Sequence, residues 1–268
     1  MIANEYLSGS KLYGDDLPLD MIQEWYADES EGYASLSDSD PADPAYVYHQ
    51  LNKLHGFSRL TDRHFPRALG FGSAYGEEFK PIIDRIDEIT ILDPSDKFVR
   101  PSIHSKPARY IKPNISGQMP FPNEQFDLCL CLGALHHVPN VTFVVSEIFR
   151  CLAVGGMALI REPIVSMGDW SRPRRGLTRH ERGIPLPLFR NLILQAGFEI
   201  QSERPCVFPL LPKLSNRLGV AAFDNRILTQ INAILCKITA GNIAYHRQGV
   251  LSKLGPSSVY YVLAKTSA

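Results

Sequence analysis

Apolar positions along this chain recur at two different periods. Leu19, Ile22, Trp25 and Tyr26 fall at helical spacing, which predicts an amphipathic helix over roughly 19–30. Ser35–Pro44 follows as an acidic, proline-containing linker. Val47, Gln50, Leu51 and Leu54 then suggest a second helix, stopped at Gly56. From Phe65 onward, short apolar runs read as strands: Arg67–Phe71, Glu88–Leu92, Ala108–Ile111, Phe126–Leu132, Met157–Arg161, Phe198–Val207 and Ser258–Ala264. Helical patterns lie between most of them, at Glu77–Ile86, Val141–Leu152, Leu186–Ala196 and Ser215–Thr239. Such alternation predicts an α/β fold, a parallel sheet with helices on both faces. Ligands of these sheets sit beyond the carboxyl ends of the strands, near the switch point.

Composition narrows the function classes. The 268 residues carry 28 Lys+Arg and 28 Asp+Glu, a formal charge of zero. Neutrality argues against nucleic acid as a partner, since that binding needs clustered positive charge. No apolar run reaches the roughly 18–20 residues of a membrane span. The first residues lack a basic-then-apolar leader pattern, so the expected address is cytoplasmic. The zero hides an asymmetry, however. Residues 1–44 hold eleven acids and one base, Lys11, leaving 27 bases and 17 acids in residues 45–268. Five scattered cysteines make a poor disulfide framework. Cys129 and Cys131 read as buried thiols on one strand face, and no second pair has metal-ligand spacing, so no metal is expected.

The first strand ends in Leu69–Phe79, LGFGSAYGEEF, where Gly70 and Gly72 allow close backbone approach to a ligand. Asp93 closes the next strand 21 residues after Gly72, near the spacing of an acid that accepts hydrogen bonds from a ribose diol. A bare Asp-Pro turn is the plainer reading, and the two features in order favour a nucleoside. The third glycine, Gly76, comes one position late for a dinucleotide G-x-G-x-x-G, which disfavours a nicotinamide oxidoreductase.

Downstream stretches bring a resemblance. Met119-Pro120-Phe121, Phe126-Asp127, Leu135-His136-His137 and Leu152-Ala153-Val154-Gly155-Gly156 resemble the ordered motifs of the class I S-adenosylmethionine-dependent methyltransferases, in their small-molecule branch. The likeness runs over about 65–162, with a weaker tail at Gln195–Ile200 and in the final strand. It implies a Rossmann-like, seven-stranded, mostly parallel sheet whose last strand is antiparallel. The expected division is an acidic N-terminal extension or lid over 1–60 and a methyltransferase domain over 61–268. Insertions are expected at about 163–184 and at 208–256, the second helical. The resemblance also implies S-adenosylmethionine as cofactor. Gly70 and Gly72 would pass under it, Asp93 would hold the ribose, Pro94 would border the adenine, and Asn114 or Ser116 would reach the adenine amine. Leu132 and Gly133 would line the methionine side. One position departs from the pattern: the acid usual two residues before the first glycine is Ala68, which opens a non-catalytic reading.

Methyl transfer needs an aligned nucleophile and, for a hydroxyl acceptor, a positioned base. His136, His137 and His180 are the catalytic candidates, with structural roles as the plainer alternative. The stretch Ser166–Gly183 holds five arginines and Trp170. Glu162, Trp170, Arg175 and Arg179 are candidate acceptor contacts, since guanidinium forks bind oxyanions and aromatic faces stack on rings. The same loop could instead pair with the acidic N-terminal segment. The expected acceptor is a small molecule or a glycan, methylated at oxygen, with sugars or sugar phosphates as the narrower expectation. Residues 206–256 read as an extra helical layer over the pocket or the face of a homodimer, their Lys and Arg too sparse for a strong membrane-surface reading.

Overall fold

Alternating burial builds two cores from one sheet. The structure is a computed structural model that describes residues 4–36, 46–60, 62–170, 172, 174 and 176–267, with backbone only for 30–36. Short α1 (Asn4–Ser8), α2 (Leu19–Leu36) and α3 (His49–His55) precede the sheet. Strands β1 (Phe65–Phe71), β2 (Ile86–Leu92), β3 (Ser102–Ile103), β4 (Lys106–Ile111) and β5 (Phe126–Leu132) come next. They are followed by α4 (Val141–Cys151), β6 (Leu152–Pro163), α5 (Leu186–Gln195), β7 (Glu199–Cys206), α6 (Leu210–Asn216), α7 (Arg226–Ile238) and β8 (Ser258–Ala264).

The sheet order is β3-β4-β2-β1-β5-β6-β8-β7. β4, β2, β1, β5 and β6 run parallel, while β8 is antiparallel to both β6 and β7. Among the described residues there are eight strands rather than seven, because the two-residue β3 adds to the edge by pairing antiparallel with β4. Side chains alternate faces along each strand. Leu69, Cys129, Cys131, Ala158, Ile160 and Tyr261 therefore share one core with Val144, Val145, Ile148 and Phe189 of α4 and α5. Ala68, Leu128, Leu130, Leu159, Tyr260 and Val262 share the other with Leu51 of α3 and with Phe223. All five cysteines are free and buried.

Three elements differ from expectation for local reasons. Glu77–Arg85 is a 3-10 helix with Pro81 inside it; proline lacks the N–H that an α-helical ladder requires there. The single helix expected over Ser215–Thr239 is instead α6 and α7, because Asn225 caps a fresh start by accepting from the Ile227 and Leu228 amides at 3.0 and 3.1 Å. α2 continues to Leu36, and most of the expected acidic linker lies outside the described residues.

Candidate active site

The chain leaves β1 for β2 and β4 on one side, then returns to β5 on the other. The carboxyl ends of β1, β2 and β5 therefore part around a crevice. It is a cleft of about 790 Å³, partly open to solvent, lined by Phe71 and Gly72 at the end of β1 and by Leu92, Asp93 and Pro94 at the end of β2. Pro113, Asn114, Ile115 and Gly117 form one wall, and Gly133, Ala134, His137, Val138, Pro139 and Asn140 another. Tyr26 and Glu29 of α2 also line it. Gly72 sits at φ +61°, and a Cβ there would lie 2.5 Å from the Ala134 Cβ, so only glycine keeps β1 and the loop after β5 this close.

Asp93 is buried at the floor of this cleft. Its two carboxylate oxygens each accept one backbone bond, from the Ala74 amide at 3.1 Å and the Ser95 amide at 3.0 Å. A carboxylate has about four acceptor sites, so half its capacity remains for a ligand. Burial pushes its carboxyl up to about 6, against the pull of those two amides. Tyr26 lies near enough that burial, with the Asp93 charge adding, raises its phenol to about 12.

Beside the cleft, two consecutive histidines sit in opposite environments. His136 Nδ1 meets Glu162 Oε2 at 2.7 Å and its Nε2 lies 3.5 Å from Glu181. Burial opposes its charge, but the two carboxylates prevail and raise it to about 9. Glu162 is fully buried and also accepts from the Ala134 and Leu135 amides, each at 2.8 Å. It thus pins the turn after β5. His137 Nδ1 meets Glu29 Oε2 at 2.8 Å. Burial and the neighbouring His136 charge hold His137 below its ordinary value despite Glu29. Facing a carboxylate, a neutral His137 ring would donate from Nδ1.

Glu29 ties three elements together. Besides His137 it accepts from Thr178 Oγ1 at 2.5 Å and from the His180 amide at 2.9 Å. Burial would raise its carboxyl, but these hydrogen bonds and the His137 charge hold it lower. Trp25, one turn earlier on α2, donates its indole N–H to the His137 carbonyl at 2.8 Å and stacks on His180 at 4.5 Å. His136, His137 and Glu181 bring ligand-capable atoms within 4.8 Å of one another, and the ion pairs above account for that convergence.

Residues 69–160 match the family described as "Methyltransferase domain". Those residues, about a third of the chain, carry a methyltransferase domain. That match marks an enzyme fold. No curated protein matches the chain in sequence. Among solved structures, a Mesorhizobium loti S-adenosylmethionine-dependent methyltransferase is 16% identical at a TM-score of 0.51, covering 77% of this chain and 94% of its own. Phosphoethanolamine N-methyltransferase 2 of Haemonchus contortus, in complex with S-adenosyl-L-methionine, is 13% identical at 0.56, covering 81% of this chain and 52% of its own. The [4+2]-cyclase SpnF is 16% identical at 0.56, covering 94% of this chain and 98% of its own. These likenesses establish the fold.

The methyltransferase cleft suits the cofactor on its own geometry: a buried carboxylate with spare acceptor capacity at the floor, apolar Phe71, Leu92 and Pro94 beside it, and a glycine where a Cβ would collide. Of the residues expected at the cofactor, Gly72, Asp93, Pro94, Asn114 and Gly133 line the cleft. Gly70, Ser116 and Leu132 stand behind it. A Cβ at Gly70 would lie 2.5 Å from Ser73 Oγ, the Ser116 carbonyl accepts from Asn140 Nδ2 at 2.7 Å, and the Leu132 carbonyl accepts from Arg161 at 3.0 Å. Ala68 is buried among apolar side chains. The acid near the glycine turn of this methyltransferase is instead Glu78, buried and raised to about 7, with Ser73 pulling it back.

His137 reaches the cleft wall, whereas His136 lies behind it in its ion pairs. His180 and Arg179 both pair with Asp28 of α2 at 3.1 Å. Trp170 is buried, stacked 5.1 Å from Tyr13. Arg175 lies outside the described residues. Arg174 and Arg182 of the same cluster are spent on backbone carbonyls. Arg182 bonds the carbonyls of Tyr13, Leu135, His136 and Pro139, and Arg174 those of Met167, Thr178, Arg179 and Glu181. Glu29 and Tyr26 escaped the sequence reading. A signal existed: Glu29 follows Trp25 by four positions on α2, so a carboxylate continues an apolar stripe.

Proposed function

We propose that this methyltransferase transfers the cofactor's methyl group to a hydroxyl of a small-molecule or glycan acceptor, with His137 as the base. The observation that carries the reading is His137 itself: it lines the cleft, its Nδ1 is held by Glu29 at 2.8 Å, and its imidazole is biased toward the neutral form. Bound in the cleft, the cofactor supplies an electrophilic methyl carbon. Asp93 would hold the ribose hydroxyls, with Pro94, Leu92 and Asn114 around the adenine. His137 would take the acceptor's proton at Nε2, and Glu29 would keep the ring in the tautomer that can accept it. The α2 segment, whose Tyr26 and Glu29 line the cleft, would act as a lid that limits water at the reacting centre. Sugars and sugar phosphates are the acceptors to try first, because the loop around Arg179 keeps exposed positive charge near that lid.

A cofactor-binding protein without catalysis is the second reading, favoured by Ala68 in place of the usual acid. Incubation with methyl-labelled S-adenosylmethionine and a panel of alcohols, glycosides and sugar phosphates separates the two. Label in an acceptor, formed at a rate that follows His137, supports methyl transfer. Tight cofactor binding with no label in any hydroxyl acceptor would turn the assignment to the second reading.

A further inference from the structure

Helix α7 is amphipathic with its faces reversed. Successive residues on a helix turn by about 100°, so Ile227, Ile231, Ile234 and Ile238 fall within an arc of roughly 60°. All four face outward, exposed by 68, 40, 58 and 75%. The face buried against the protein is Thr229, Asn232 and Cys236. Asn232 Oδ1 accepts from the Phe208 amide at 2.7 Å, and Thr229 Oγ1 donates to the Ala222 carbonyl at 3.3 Å. The helix is thus anchored through polar groups, and its isoleucine stripe is left over. Leu214 of α6, Leu218 just after it, and Val250 and Leu251 add exposure of 57 to 80% nearby in the chain.

Charge decides what covers such a face. Between residues 208 and 256 there are six Lys and Arg residues and a single acid, Asp224. Arg226 and Lys237 lie on one flank of the isoleucine stripe, about 80–100° from Ile227 around the helix, and both are exposed. Counted along the sequence these bases look sparse, but on the folded helix they border an apolar band. We propose that α7 lies flat on an anionic bilayer surface, its isoleucines at the acyl-chain boundary and Arg226 and Lys237 at headgroup level. A second copy of this chain fits less well, because a two-fold contact through α7 would bring Arg226 and Lys237 against their own like charges. The helix lies on the surface and does not cross it: no helix among the described residues is long and apolar enough to span a membrane.

The test is sedimentation of the full chain with vesicles of phosphatidylcholine alone or containing about one-third phosphatidylglycerol. The chain should sediment with the anionic vesicles. Replacing the four isoleucines (I227S, I231S, I234S, I238S) should lower that partition at least about tenfold. R226E with K237E should remove the preference for anionic lipid. Because all these side chains are exposed, the variants should still bind S-adenosylhomocysteine as the parent chain does, which controls for folding. Failure to sediment with either vesicle, or equal sedimentation of the fourfold variant, would overturn the proposal. So would a dimer in lipid-free solution that the isoleucine substitutions convert to monomer.

Discussion

The cleft at the β1–β5 crevice and the outer face of α7 break the inside–outside rule in opposite senses. In the cleft, Asp93 and Glu29 are ionisable groups in buried positions, each held by two or three hydrogen bonds. On α7, four isoleucines stand in solvent while a threonine, an asparagine and a cysteine fill the buried side. α4, of similar length, follows the rule more closely: it turns Val141, Val144, Val145, Ile148 and Cys151 inward, and its buried acid, Glu147, is paired within the chain by Arg150. Each departure marks a surface whose partner lies outside the chain: a nucleoside cofactor in one case and, by our inference, a lipid surface in the other.

The largest effect expected is catalytic. His137→Asn should lower methyl-transfer turnover by about 10²–10⁴ while leaving cofactor affinity nearly unchanged, as steady-state rates and a binding titration would reveal. Comparable loss from the His136 variant alone would shift the role to its neighbour. Next, the contrast between helices predicts contrasting stabilities. Ile148→Ala in α4 should cost about 2–5 kcal/mol in chemical denaturation, because it empties a packed core position.

Much of this was legible in the sequence because it rests on local patterns. β5 and β8 match their expected limits residue for residue, since continuous apolar runs bounded by turns leave little choice. Asp93 was legible for a similar reason: strand, glycine turn and strand-end acid are all close in sequence. Glu29 and His137 were harder to join, as 108 positions separate them and their pairing depends on how α2 docks. The reversed face of α7 was hidden because periodicity reports that a helix has an apolar side and says nothing of which way it turns. Trp170 and Arg182 read as acceptor contacts or loop charge, yet aromatic stacking and backbone carbonyls absorb them.

A smaller effect comes from pH. Burial raises the Asp93 carboxyl from 3.8 to about 6, so it is ionised above that value and protonated below it. Cofactor affinity should therefore be level near neutrality and weaken as pH falls through about 6, by no more than tenfold per unit, with proton release on binding in that range. Isothermal titration in buffers of different ionisation heat checks both. His137, biased toward its neutral form, should keep turnover from falling until pH drops below the ordinary imidazole range. The smallest effect completes the comparison: Ile234→Ala on α7 should change stability by less than about 0.5 kcal/mol, since that side chain is 58% exposed. A loss like that of Ile148→Ala would mean the stripe is covered within the protein.

The central claim is that the buried carboxylate of Asp93 holds the cofactor's ribose in this cleft. Calorimetric titration of S-adenosylhomocysteine into the parent chain and into Asp93→Asn tests it most directly. The account predicts sub-millimolar binding by the parent and an affinity about ten- to a hundredfold weaker in the variant, the loss of charge-assisted hydrogen bonds to the ribose. Equal affinity in both proteins, or no binding by the parent chain, would contradict it.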